Sequence, residues 1–342
     1  MSYKQLLDRP TILVAGGAGF IGSHLCDNLV QTANVICIDN FITGQEENID
    51  LLLQNPNFRF IKHDLKDSID LESYAELEPF KIKYQGVQQI YNLACPTSPK
   101  DYHHIPIETL RANAEATRQL LDLAVKYKAK FLHASSSSIY GEPAPNVHEF
   151  KEDYWGMVDP VGPRSCYNEG KRFAESLVVN YGEYQGVSYR IARIFNTYGP
   201  RMKMKDGRMI PDFINHAIAD KNLIIYGSGE ELSTYCYISD MVDGLTKLMA
   251  YDEGGIFNLG APETESIKQV AQLVIKLAGS SSGLENTESL PYWARQGVPD
   301  ITKAKEVFGW FPLVKLEDGL RQTIEYAKAH QRILGPDLGA AK

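Results

Sequence analysis

An α/β fold, a doubly wound parallel sheet with a smaller C-terminal substrate lobe, is predicted by three observations. Short apolar runs recur at residues 11–15, 35–38, 58–61, 89–93, 130–134 and 187–192. Helical patterns separate most of them, and strands alternating with helices at this pace make a parallel sheet. After Pro200 the texture changes to shorter elements divided by turns. These boundaries give one domain over residues 1–200, with some later segments returning to it, a lobe over 201–330 and a frayed tail over 331–342.

Thr11 to Ala15 reads as a buried strand and runs into Gly16-Gly17-Ala18-Gly19-Phe20-Ile21-Gly22, after which Leu25, Leu29 and Val30 mark a helix. Strand, glycine turn and helix form the context of a Rossmann-type dinucleotide fingerprint. Glycines let the backbone approach a diphosphate, which the helix N-terminus attracts. Gly16, Gly19, Phe20, Ile21 and Gly22 are the candidates for that contact. The second strand ends at Asp39-Asn40, near the spacing of the acid that binds the adenosine ribose. A carboxylate there accepts from ribose hydroxyls and repels a 2′-phosphate, so NAD is expected rather than NADP. His63 and Asp64 at the end of the third strand are candidates for the adenine, and Asp64 and Leu65 are assigned to the cofactor. Ala94 follows the fourth and is assigned to the cofactor.

Residues 65–86 are charged and weakly patterned, which predicts an irregular excursion or short helix. Leu110, Ala114, Leu121 and Ala124 predict an amphipathic helix over about 107–127. The fifth strand leads into Ser135-Ser136-Ser137-Ser138-Ile139-Tyr140-Gly141, and hydroxyls at a strand's carboxyl end face the ligand crevice of such a sheet. A helix carrying Tyr167 runs to about Tyr184. Beyond it come a strand over 187–192, a helix near 211–219, strand Leu223 to Tyr226, and helices near 240–250, 266–278 and 316–330. Tyr226 is a substrate-contact candidate.

The net charge of −8 over 342 residues argues against broad nucleic-acid or anionic-membrane binding. No apolar run is long enough to span a bilayer, and residues 1–10 lack a signal-peptide core. Five scattered cysteines without a Cys-x-x-Cys spacing fit reduced thiols in a cytoplasm, not a disulfide framework or a metal site.

The chemistry is placed at Tyr167 and Lys171. Four residues apart on a helix, they share one face. A cation beside a phenol favours the phenolate, so Lys171 is expected to lower the Tyr167 pKa. Such a phenol can take a proton from a sugar hydroxyl while a nicotinamide takes the hydride. One of the hydroxyls of Ser135 to Ser138 can bond the same oxygen. His103, His104, Cys95 and Cys166 flank this region, with solvated or packing roles the commoner outcome.

Taken together, Gly-Gly-Ala-Gly-Phe-Ile-Gly-Ser-His-Leu (16–25), Asp39-Asn40-Phe41, Pro96-Thr97-Ser98-Pro99, Glu152 to Gly156, Gly162-Pro163-Arg164, Tyr167 to Arg172, Arg193 to Met202 and Asp206-Gly207-Arg208 resemble the extended short-chain dehydrogenase/reductase superfamily. The Trp155 and Arg164 blocks are similar to its UDP-glucuronate decarboxylase branch. The resemblance spans nearly the whole chain. It implies oxidation of a nucleotide sugar at C4 by Tyr167, Lys171 and Ser136, loss of CO2 from the β-keto acid, and return of the hydride. It also implies that Asn196 and Arg208 contact the nucleotide sugar, that Arg164, Ser137 and Ser138 line its site, and that two helices pair in a homodimer.

The chain departs from that branch in three places. Ser136 and Ser138 stand where the branch carries threonine and glutamate, and Ser233 stands where it carries arginine. The late arginine cluster is thinned to Arg295. A four-serine edge resembles nucleotide-sugar 4-epimerases instead, including those acting on UDP-glucuronate. A 4,6-dehydratase needs an acid pair where Ser137 and Ser138 lie. A non-catalytic NAD-binding regulator is the alternative from another class.

Overall fold

The computed structural model describes residues 9–145, 147–204, 207–288 and 297–334. Arg295 and the chain beyond Leu334 lie outside the described residues. Seven strands form one parallel sheet: β1 (Thr11–Ala15), β2 (Asn34–Asp39), β3 (Phe58–Lys62), β4 (Gln89–Asn92), β5 (Lys130–Ser136), β6 (Tyr189–Ile194) and β7 (Gly255–Leu259). Their spatial order is β7-β6-β5-β4-β1-β2-β3. Strand order reverses between β1 and β4, and a crevice opens there at the carboxyl ends.

Both faces of the sheet are covered, and its central strand is buried throughout: β1 is buried at every position. Alternating side chains sort into two cores. Ile12, Val14, Leu132 and Ala192 pack with α1 (Phe20–Leu29), whereas Leu13, Ala15, Phe131 and Ile191 pack with α2 (Thr117–Tyr127) and with Val178 of α3 (Ser165–Gln185). The helix predicted over 107–127 is helical from Pro106, and a π turn over Ala112–Ala116 precedes α2. Within that turn Asn113 is buried and packs against the bare backbone of Gly170 on α3.

Residues 65–86 form short turns of 3-10 helix and a four-residue helix, Ile82–Gln85, as the weak pattern predicts. The sixth strand starts at Tyr189, two residues later than expected, because Val187 ends the turn after α3. β7 is a strand the sequence reading did not identify. It pairs with β6 from Gly255↔Arg190 to Leu259↔Ile194, so chain beyond Pro200 completes the large sheet.

Of the other late segments, those over residues 207–213, 224–226 and 231–235 reach the crevice. Helix α4 (Met209–Ile218) packs beside Leu223–Tyr226, which pairs with Leu284–Thr287. Leu232–Thr234 pairs antiparallel with Thr264–Ser266. Asp240, near the start of α5 (Ile238–Ala250), ties this region to the chain end. Its Oδ2 accepts from the amides of Leu313 and Val314 at 2.9 and 2.8 Å, and its carbonyl accepts from Trp310 Nε1.

Candidate active site

One cleft of about 1620 Å³ runs along the carboxyl ends of the strands. Single-ligand sites usually measure about 300–1,000 Å³, so this one has room for two extended ligands. Every site residue predicted from the sequence lines it. At one end lie Gly16, Gly19, Phe20, Ile21, Gly22, Asp39, Asn40, Asp64, Leu65 and Ala94. Ser136, Tyr167 and Lys171 stand in the middle. Ser137, Ser138, Arg164, Asn196, Arg208 and Tyr226 line the remainder. His103, His104 and Cys95 also face the cleft.

The glycine end fits a dinucleotide. Gly16 has φ +75°, and its backbone abuts that of Leu93 and Ala94, so the turn passes where no side chain fits. α1 begins at Gly19 with no side-chain cap and no acid in its first turn. Its amide end and dipole are therefore uncompensated and suit a diphosphate. Asp39 Oδ2 accepts from the Ala18 amide at 3.0 Å and Oδ1 from the Phe41 amide at 2.9 Å. Burial raises its pKa, and these amides oppose the rise. The carboxyl is thus fixed beside the turn with lone pairs left for hydroxyl donors. Burial also pushes Asp64 up, but the Lys66 amide and ammonium and the Asn40 side chain outweigh it, and its pKa is lowered.

The cations on and just after β3, the strand paired with that of Asp39, are engaged. The Arg59 guanidinium bonds the carbonyls of Glu76, Pro56 and Phe58; Lys66 pairs with Asp64 and Glu108; Lys62 lies over the Phe41 ring. A 2′-phosphate would meet acceptor oxygens there, so NADP is expected to bind at least about tenfold more weakly than NAD. Paired fluorescence titrations check this, and equal affinities would remove Asp39 from cofactor choice.

At the centre, Tyr167 is 7% exposed and stacks on Tyr102, ring centroids 5.2 Å apart and 13° from parallel. The expectation that Lys171 lowers its pKa is corrected here. Burial raises the phenol above its ordinary value, and Cys95 adds to the rise. A hydrogen bond with the Ser136 side chain and the Arg208 charge pull the other way without prevailing. Lys171 is itself buried, and its ammonium donates to the Ala134 carbonyl at 2.8 Å. The same cation, after burial, holds the enclosed His133 well below the usual imidazole range.

Around this centre several polar atoms wait for partners. Ser138 Oγ, Arg164 Nε and Asn168 Oδ1 are buried with no hydrogen-bond partner among the described residues. Enclosed polar atoms are costly unless something bonds them. All three belong to residues lining the cleft. Ser136 Oγ accepts from the Ser138 amide at 3.2 Å. Asn196 Nδ2 donates to Ser233 Oγ at 2.9 Å, and Arg208 donates to Thr97 Oγ1.

Sequence reasoning missed two groups here. Tyr102 reaches Tyr167 from a helix over Pro99–His104, and only its place after the Pro-Thr-Ser-Pro loop could have marked it. Glu175 and Arg193 form a buried ion pair at 2.8 Å beneath the serine edge. Its sequence signal is a carboxylate four residues beyond Lys171 on the same helix.

Comparison with known proteins agrees with this geometry. The profile of the NAD dependent epimerase/dehydratase family matches residues 12–260. UDP-glucuronic acid decarboxylase 1 of Xenopus tropicalis is 44% identical over 320 residues, which is 93% of this chain and 72% of that protein. UDP-glucuronic acid decarboxylase 5 of Arabidopsis thaliana is 43% identical over 90% of this chain and 86% of its own. Among solved structures, UDP-glucose 4-epimerase of Thermotoga maritima with UDP-glucose superposes with a TM-score of 0.81 at 27% identity, covering 94% of this chain and 99% of the other. UDP-glucuronic acid 4-epimerase of Bacillus cereus, in complex with UDP-glucuronic acid and NAD, gives 0.79 at 29% identity with the same coverage. The match to residues 12–260, together with identity above 40% across nine-tenths of the chain, means that the protein belongs to the NAD dependent epimerase/dehydratase family.

Proposed function

We propose that the protein is an NAD-dependent nucleotide-sugar enzyme that oxidises the sugar at C4 and acts as a UDP-glucuronate decarboxylase. The observation that carries the reading is the convergence of Tyr167, Ser136 and Lys171 in the middle of a cleft whose one end is a dinucleotide turn. The names of the relatives at 43–44% identity supply the sugar. Held by the Gly16–Gly22 turn and Asp39, NAD would supply a hydride acceptor, a positive charge and the hydride that is later returned.

Tyr167 takes the proton of the C4 hydroxyl, with Ser136 orienting that oxygen. Burial raises the phenol's pKa in the protein alone, so its own proton must first leave to solvent through the open cleft, a loss that the positive charge of bound NAD would favour. Lys171 acts through the Ala134 carbonyl it grips, which fixes the strand end carrying Ser136. Once C4 is a ketone, the C6 carboxylate is β to it. Cleavage of the C5–C6 bond releases CO2 and its electron pair enters the enolate, which takes a proton at C5 from solvent. Tyr167 gives its proton back to the C4 oxygen as the ketone is reduced. Ser138 Oγ and Arg164 Nε are unpartnered groups available to the carboxylate and sugar hydroxyls. Asn196, Ser137, Arg208 and Tyr226 complete the nucleotide-sugar side.

A second reading, a UDP-glucuronate 4-epimerase, is favoured by the hydroxyls of Ser138 and Ser233, which place neutral groups on the sugar side. Incubation with UDP-glucuronate and NAD, followed by mass analysis, separates the two. UDP-xylose or the 4-keto pentose is expected; UDP-galacturonate would install the epimerase reading instead. Unchanged substrate would leave neither.

We also infer a homodimer through α3 and the helical stretch over 107–127. The support is Ile107 and Phe173, 63% and 53% exposed on those two segments. Residues 201–330 are taken as mainly the substrate lobe. Five free thiols support a reducing, cytoplasmic setting, and no described helix is long and apolar enough to cross a membrane.

A further inference from the structure

Tyr167, Lys171 and Glu175 follow one another at four-residue spacing on α3, and all three are buried. Each meets a successive residue at the end of β5. Lys171 Nζ donates to the Ala134 carbonyl at 2.8 Å; Ser135 Oγ donates to Glu175 Oε1 at 2.5 Å; Ser136 meets Tyr167. One helix face thus grips three consecutive residues of one strand, and the outermost of them carries the serine of the reaction centre.

That strand end needs a grip. The pairing of β5 with β4 stops at Asn92↔His133, while its pairing with β6 continues to Ser136↔Ile194. Ala134, Ser135 and Ser136 therefore project beyond β4 toward the cleft, held by sheet hydrogen bonds from one side only. Glu175 is itself locked by Arg193 of β6. Nε donates to Oε1 at 3.0 Å and Nη2 to Oε2 at 2.8 Å. The remaining nitrogen, Nη1, reaches the Tyr140 hydroxyl at 2.8 Å and the Glu152 carbonyl at 2.7 Å. One carboxylate thereby joins the helix of Tyr167, the strand of Ser136 and the segment that leads to Arg164. Buried ion pairs contribute little net stability against an apolar substitute, and fixing registry is their best attested use.

We propose that Glu175 is a positioning residue for the reaction. Through Ser135 it sets the Ser136 hydroxyl against Tyr167, and Arg193 holds it in place. No proton passes through it. The proposal rests on the role given to Tyr167 under Proposed function.

The test removes the link and leaves the ion pair. Ser135→Ala is expected to lower kcat for UDP-glucuronate about tenfold, since small displacements of reacting groups cost that much or more. KM should stay unchanged and the melting temperature should hold within about 2 °C. Ser135→Thr restores the hydroxyl and should recover kcat to within about twofold. Unchanged kcat in Ser135→Ala, or a fall shared with KM and melting temperature and not recovered by Ser135→Thr, overturns the proposal. A second readout is independent of turnover: 3-fluorotyrosine at position 167 should show a 19F resonance that moves in Ser135→Ala and returns in Ser135→Thr. If the unaltered protein turns over no nucleotide sugar, the reading under Proposed function fails. The resonance then decides the clasp alone, and a stationary signal overturns it.

Discussion

Tyr167→Phe is expected to lower kcat by about a thousandfold or more while leaving NAD affinity within about twofold. The substitution deletes one oxygen and nothing else. The ring keeps its stack on Tyr102, and the neighbouring Cys95 and Cys166 still pack against it. Stability should therefore change by less than about 1 kcal/mol, because no cavity opens and the lost partners, Ser136 and the cleft, retain other contacts. Removal of the C4 proton, however, has no substitute base in place. Lys171 is committed to the Ala134 carbonyl, and the His133 ring is enclosed, with its pKa held well below the usual imidazole range by burial and Lys171. Single-turnover absorbance at the reduced-nicotinamide band measures the step, and fluorescence titration measures NAD affinity. Turnover at the wild-type rate would take Tyr167 out of the mechanism. A parallel loss of NAD affinity would make it a cofactor contact.

The candidate site was partly legible in the sequence, and the missing parts have physical reasons. Apolar runs, glycine spacing and helical periodicity are local signals, so the six early strands, α1 and α3 could be read from residues alone. β7 could not, because its five residues pair with β6 across more than sixty positions of chain. Its only local marks are an Ile-Phe-Asn-Leu run and two glycines, Gly254 and Gly255, with φ of +71° and +116°. The Tyr167–Lys171 spacing places both side chains on one helix face. It cannot say that the ammonium turns to a strand carbonyl, nor that enclosure outweighs every charge acting on the phenol. Those facts belong to packing. Tyr102, Glu175 and Arg193 reach the centre from three separate elements, and no short motif joins them.

Gly22→Ala is expected to abolish the cofactor site. A β-carbon at Gly22 would lie 2.1 Å from the Gly16 carbonyl oxygen and 2.8 Å from Gly17 Cα. Both are backbone atoms, so no side chain can swing aside. The turn cannot yield either. The Gly16 amide is bonded to the Ile38 carbonyl at 2.8 Å, and the other side of Gly16 presses on the backbone of Leu93 and Ala94. The added methyl must therefore push α1 away from β1, at a cost of about 1–3 kcal/mol or more for overpacking a core. It also pulls the helix N-terminus out of line with the turn, which removes the uncompensated amides a diphosphate would use. Gly19→Ala is the control, since its β-carbon meets only the Gly16 carbonyl oxygen, at 3.2 Å. Thermal unfolding with and without NAD reads both effects, because a ligand that binds only the folded state raises the melting temperature. Gly22→Ala should melt earlier and show no rise with NAD, whereas Gly19→Ala should melt near the parent. Equal melting losses in the two variants would overturn the packing argument, and a full NAD-dependent rise in Gly22→Ala would show that the turn tolerates the displaced helix.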